Sequence, residues 1–280
     1  MRLQVGDVKL FFDVEGAKLR PVGERMDEVP TLLLLHGGPG FDHSEFKIGF
    51  SQLADIAQVV YLDHRGNGRS DSGAGERWSL ATWADDVRAF CNALEIEKPI
   101  VMGHSFGGIV AMFYATRYPE HPAKLILTST SVQPVGERSY SMFERLGGRA
   151  ARAAAVDFWT NPGREIAKRY NEICVPLYSQ RRLPEGFYSR AVRNPEMLLL
   201  FIEHELASAA MMERLRRIKC PTLVLAGEKD PITPAADAEE IFGALPPTLR
   251  HFRRFENAGH HLFWDQPEFF FETVRRFILM

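Results

Sequence analysis

Ser105 stands in the stretch Gly103-His104-Ser105-Phe106-Gly107, with Gly108 directly after it. A serine hydroxyl attacks a carbonyl poorly at neutral pH unless a neighbouring base takes its proton. Two downstream stretches offer the missing groups. Asp230 closes Gly227-Glu228-Lys229-Asp230, and His260 follows Gly259 in Asn257-Ala258-Gly259-His260-His261. A neutral imidazole accepts the proton, and a carboxylate behind it orients the ring and stabilises its cation. The chemistry these residue types allow is acyl transfer. His261 is the rival base, and Asp237 and Glu228 are rival acids. Adjacent residues point in different directions, and the Gly-His pairing favours His260.

These side chains must be carried to one place by the elements around them. An apolar run, Pro99 to Met102, leads into the serine, and a helix-like run, Ile109 to Ala115, leads out. A serine on so sharp a strand-to-helix turn crowds its own backbone, and glycines at 103 and 107 leave room for it. The turn aims the Phe106 N–H at negative charge forming beside Oγ.

Short apolar runs recur at Leu3 to Val5, Val8 to Val14, Thr31 to Leu35, Gln58 to Leu62, Leu125 to Thr130, Thr222 to Gly227 and Leu249 to Phe255. Several are continuous, as in strands covered on both faces of a parallel sheet. Helices are expected over Phe46 to Leu53, Ala81 to Leu94, Ile109 to Tyr118, Ala235 to Leu245 and Pro267 to Leu279. Gly16 to Pro30 is charged and turn-rich and reads as a surface loop. The plan is an α/β fold with a doubly wound, mostly parallel, eight-stranded sheet.

From Ser131 to about Met212 the alternation stops and Arg-rich helical segments take over. The expected organisation is a core over 1–130, an inserted helical lid over 131–212, and the rest of the core over 213–280. Phe143, Phe158, Trp159, Phe187 and Phe201 are expected to fill the lid's interior more than to line a pocket.

Two further loops end sheet strands. His36-Gly37-Gly38-Pro39-Gly40 has an irregular backbone with N–H groups outside any ladder, as an oxyanion donor requires. In Asp63-His64-Arg65-Gly66-Asn67-Gly68-Arg69-Ser70, a charge-assisted pair between Arg65 and Asp63 is expected to fix the loop. His36 is expected to orient the first loop, and His104 to pack under the serine.

The 280 residues, 45% of them hydrophobic, suffice for a core without staples. A net charge of −2 gives no electrostatic case for nucleic acid or an anionic membrane. Cys91, Cys174 and Cys220 are scattered and read as buried thiols, supporting neither disulfides nor a zinc site. No apolar run approaches the ~18 residues of a membrane span. With no signal-peptide pattern at the start, a cytoplasmic location is expected.

Taken together, the order Ser105, Asp230, His260 and the quoted loops resemble the α/β-hydrolase superfamily over nearly the whole chain outside the lid. The resemblance implies an oxyanion hole made by the backbone N–H groups of Gly38 and Phe106, and no metal or organic cofactor. A serine nucleophile argues against the dehalogenase and epoxide-hydrolase branches, which use a carboxylate there. The His-Gly-Gly-Pro-Gly loop resembles proline iminopeptidases (peptidase family S33) and related esterases. Ile202-Glu203-His204-Glu205 is similar to that family's acidic lid segment, which implies that Glu203, with Glu205 in reserve, reads a substrate ammonium. On its own the segment reads as a solvated charged face. Phe106 departs from the tryptophan usual in those peptidases, and Gly107-Gly108 is the esterase form. The expected partner is a small ester, amide or short peptide, with a homo-oligomer left open. The alternatives are a lactone hydrolase or a receptor-like ligand-binding protein of this fold.

Overall fold

The computed structural model describes residues 1–74, 78–204 and 210–280, and of residues 203, 204 and 210 only the backbone. Among the described residues, ten strands appear in chain order: β1 (Arg2–Val5), β2 (Val8–Glu15), β3 (Leu19–Val22), β4 (Arg25–Glu28), β5 (Thr31–Leu35), β6 (Gln58–Leu62), β7 (Ile100–His104), β8 (Lys124–Thr128), β9 (Thr222–Gly227) and β10 (Arg250–Phe255). Eight of them form one sheet in the order β1-β2-β6-β5-β7-β8-β9-β10. Pairing is parallel from β6 to β10, and antiparallel where β2 meets β1 and β6.

The continuous apolar runs are explained by what covers them. Alternate residues of each central strand enter opposite layers. Leu33, Leu35, Val101, Leu125, Leu127 and Val224 pack with α1 (Leu80–Ala93), α2 (Phe106–Arg117) and α7 (Ala235–Ala244). Leu32, Leu34, Met102, Ile126, Leu223 and Leu225 pack with Phe46, Phe50 and α9 (Pro267–Leu279). The core leucines of β5 are fully buried, each contributing about 1.5–3 kcal/mol by leaving water.

Between β8 and β9 the chain forms α3 (Glu137–Thr160), α4 (Arg164–Ile173), α5 (Pro195–His204) and α6 (Ala210–Arg214). Helix α3 is two helical halves joined at Gly148, whose φ of 74° no helix permits. Phe143, Phe158, Tyr170 and Cys174 make a separate apolar cluster with Ile232. Phe201 on α5 instead joins the main core, edge-on to Phe106 with ring centroids 5.2 Å apart.

Three local expectations change. The segment from Gly16 to Pro30 contains a two-stranded hairpin, β3 with β4, rather than plain loop. It is exposed on both faces, so it carries no apolar alternation to announce it. Residues 43–53 form two 3₁₀ turns broken at Gly49, not one helix. Arg65 does not pair with Asp63. It makes a fork of hydrogen bonds to Asp86 on α1 (2.8 and 2.7 Å) and reaches Asp7 at 2.9 Å.

Candidate active site

Ser105 sits between β7 and α2 with φ 52° and ψ −120°, a conformation that side-chain-bearing residues rarely adopt. The glycines around it are sterically required. A Cβ on Gly103 would lie 2.2 Å from the Gly107 carbonyl oxygen, and one on Gly107 would lie 2.1 Å from that of Leu35. The strained turn is held from outside. The Ser105 N–H donates to Thr128 O (3.0 Å), and Thr130 Oγ1 donates to Ser105 O (2.7 Å).

Asp230 is wholly buried after β9. Its Oδ1 accepts the backbone N–H groups of Ile232 and Thr233, both at 2.9 Å. Its Oδ2 accepts Thr233 Oγ1 (2.6 Å) and lies 2.8 Å from Nδ1 of His260. A carboxylate only accepts, so Nδ1 donates to Asp230 and Nε2 is left to accept. The His260 ring lies 4.8 Å, centroid to centroid, from that of His104, the residue before the serine. The rival groups are engaged elsewhere. His261 Nδ1 lies 2.9 Å from Ser179 Oγ, Asp237 takes Ser131 and Arg138, and Glu228 accepts the Asn257 N–H.

The loop from His36 to Gly40 is anchored along its length. The His36 ring Nδ1 donates to Gly37 O (2.7 Å), which leaves Nε2 to accept the His64 N–H (3.2 Å). Gly37 N–H donates to Glu45 Oε1 (2.6 Å), and Gly40 N–H to Asn67 Oδ1 (2.6 Å). Gly38, between them, has a φ of 126°, open chiefly to glycine. Burial holds His36, His104 and His261 below the usual imidazole range, so all three are neutral at pH 7.

Several residues that position the site carry no motif. Glu45 lies against Gly37 and 3.7 Å from His104 Nε2, and burial pushes its carboxyl up to about 8. The carbonyl of Tyr178 accepts the His260 N–H. Asp265 accepts the N–H groups of Gly259 (2.7 Å), Gln180 (2.9 Å) and Arg181 (3.0 Å), which binds the segment after α4 to the histidine loop. Burial raises the Asp265 carboxyl. Asp42 accepts the Val192 N–H (3.0 Å), and Asn194 N–H donates to Gly40 O (2.9 Å). Nothing in residue type marks these positions; their roles are visible only once the neighbours are known. Glu203 is the residue before the end of α5, with its side chain outside the described part, and Glu205 lies outside the described residues altogether.

A family profile described as alpha/beta hydrolase fold matches residues 30–267. The chain belongs to that family. It is 28% identical over 290 residues to a proline iminopeptidase of Lactiplantibacillus plantarum, covering 92% of this chain and 95% of the relative. Among solved structures, the proline iminopeptidase of Mycobacterium smegmatis superposes with a TM-score of 0.77 at 22% identity, over 99% of this chain and 97% of that one. An esterase from Exiguobacterium antarcticum gives 0.76 at 20% identity, over 100% and 99%. At those identities the two structures speak for the fold of this α/β hydrolase. No helix among its described residues is long and apolar enough to cross a membrane.

Proposed function

We propose that this α/β hydrolase is a serine hydrolase that cleaves a small carboxylic ester or amide through an acyl-enzyme. The observation that carries the reading is the buried Asp230–His260 hydrogen bond of 2.8 Å, set beside the strained turn at Ser105. Ser105 Oγ attacks the carbonyl carbon while Nε2 of His260 takes its proton. The tetrahedral oxyanion is met by the N–H groups of Gly38 and Phe106, each worth on the order of 3 kcal/mol. His260 returns the proton to the leaving group. Water then loses a proton to the same nitrogen and hydrolyses the acyl-enzyme. Asp230 orients the ring and stabilises each imidazolium. In this reading residues 131–212 form the lid over a core made of 1–130 and 213–280.

The similarity to a proline iminopeptidase favours a narrower reading, in which the substrate carries a free amino terminus read by Glu203 or Glu205. The test is a panel of p-nitrophenyl acetate and butyrate, proline anilide and simple lactones, run on wild type and on Ser105→Ala. Ester turnover abolished by Ser105→Ala is expected, and turnover unchanged in that variant overturns the reading. Anilide cleavage lost on Glu203→Gln supports the aminopeptidase; no anilide cleavage rejects it. Lactone opening ahead of ester turnover selects the lactonase alternative. Ligand binding without turnover of any panel member selects the receptor-like one.

A further inference from the structure

A second constellation lies beside the nucleophile. Glu45 from the first 3₁₀ turn, His104 from the end of β7 and His261 before α8 (Leu262–Asp265) converge from three parts of the chain. One oxygen or nitrogen from each lies within 4.8 Å of the other two. His104 and His261 are buried, and the Glu45 side chain is 16% exposed. Among the described residues no lysine or arginine pairs with Glu45, and its contact with His104 Nε2, at 3.7 Å, is too long for a hydrogen bond. Its other oxygen is fixed on the Gly37 N–H. The His261 ring is oriented through Nδ1 by Ser179 Oγ, as metal-ligating imidazoles are oriented by an outer partner.

Two imidazoles and the Glu45 carboxyl, which gives up its proton as the ion binds, are the donor set that takes zinc with one position left open. Zinc's bonds of about 2.0–2.2 Å put tetrahedral donors about 3.3 Å apart, so side-chain torsions must draw this group in by at most about 1.5 Å. We propose that Glu45, His104 and His261 form an inhibitory site for a divalent transition ion of the zinc class. Inhibition follows from position. The ion would sit against His104, whose ring is 4.8 Å from that of His260, and His260 must become a cation in both halves of the reaction. A second positive charge there opposes that step.

The experiment titrates untagged protein with zinc chloride against a chromophoric chelator of known affinity. It is done on wild type, on Ser105→Ala, and on Glu45→Gln and His261→Asn in the Ser105→Ala background. Glutamine keeps an oxygen for the Gly37 N–H but is a far weaker ligand than a carboxylate. One zinc per chain is expected in wild type and Ser105→Ala, weakened at least about 100-fold by either ligand substitution, a loss at or beyond that of disturbing an outer partner. Turnover of p-nitrophenyl butyrate should fall in step with occupancy and return on chelation. No stoichiometric zinc, or zinc bound equally well by both substituted proteins, overturns the site. Zinc bound with turnover unchanged overturns its inhibitory role. A protein that turns over no ester at all counts against the hydrolase reading alone, because the binding arms do not use turnover.

Discussion

Both oxygens of Asp230 are committed, three of their four donors coming from its own turn and the fourth from His260. Asp230→Asn preserves the shape but replaces an acceptor with an amide that favours the wrong imidazole tautomer. Steady-state kinetics should show kcat down by about 10³–10⁴-fold, with KM little changed and an unaltered circular dichroism spectrum. Glu45 makes a different prediction, about stability. An unfolded glutamate ionises near 4.5 and this one near 8 when folded, so between those values the unfolded chain binds fewer protons. Stability is then fully present below the lower value and falls as pH rises through the higher one. Denaturant midpoints from pH 5 to 8 should decline in wild type relative to Glu45→Gln. Parallel midpoints in the two proteins contradict the placement of Glu45. Nothing in the sequence distinguishes Glu45 from any surface glutamate; its character comes from burial among residues as distant as 104 and 188.

At the level of elements, the turn at Ser105 leaves no room for a side chain at Gly103 or Gly107. Gly107→Ala sets a methyl group against the Leu35 carbonyl, which belongs to a fully buried strand and cannot retreat. A loss of about 3 kcal/mol or more in chemical denaturation is expected, or failure to fold. An unfolding free energy within about 0.5 kcal/mol of wild type, the size of a surface change, would contradict the tight approach. This turn was readable in the sequence because steric demand leaves few residue choices there. So were the strands Thr31–Leu35 and Thr222–Gly227, whose burial on both faces imposes unbroken apolar runs. The hairpin of β3 and β4 was not, since exposed strands owe the core no pattern. The bonds from Asp265, Asp42 and the His260 N–H to the inserted segment were equally hidden, because a backbone N–H or carbonyl leaves no mark on residue type.

Across the whole molecule, Arg65 ties the loop after β6 to α1 and to the N-terminal hairpin. The guanidinium is 3% exposed and its Asp86 partner 9%. Burial pushes the Asp86 carboxyl up, and Arg65 opposes that shift through its hydrogen bonds and charge. Arg65→Met strands a buried carboxylate and should cost about 3–5 kcal/mol at neutral pH. Replacing Asp86 by Leu in the same protein should recover most of the loss. Equal stability of the single and double variants would contradict the pairing. The sequence pointed instead to Asp63, the nearest acid along the chain. Asp63 holds the His43 ring at 2.6 Å and the Arg69 N–H at 2.9 Å, and folding brought Asp86 to Arg65.

The central claim is that an alcohol at one position becomes a nucleophile because His260 and Asp230 reach it from elsewhere in the chain. A fluorophosphonate probe reports this directly, since it phosphonylates a serine only as fast as a base activates it. Peptide mass spectrometry should find the adduct on Ser105 in wild type, with none in Ser105→Ala. Labelling should be at least about 10³-fold slower in His260→Ala. Label on another residue, or labelling of Ser105 at an undiminished rate without the imidazole, would contradict the account.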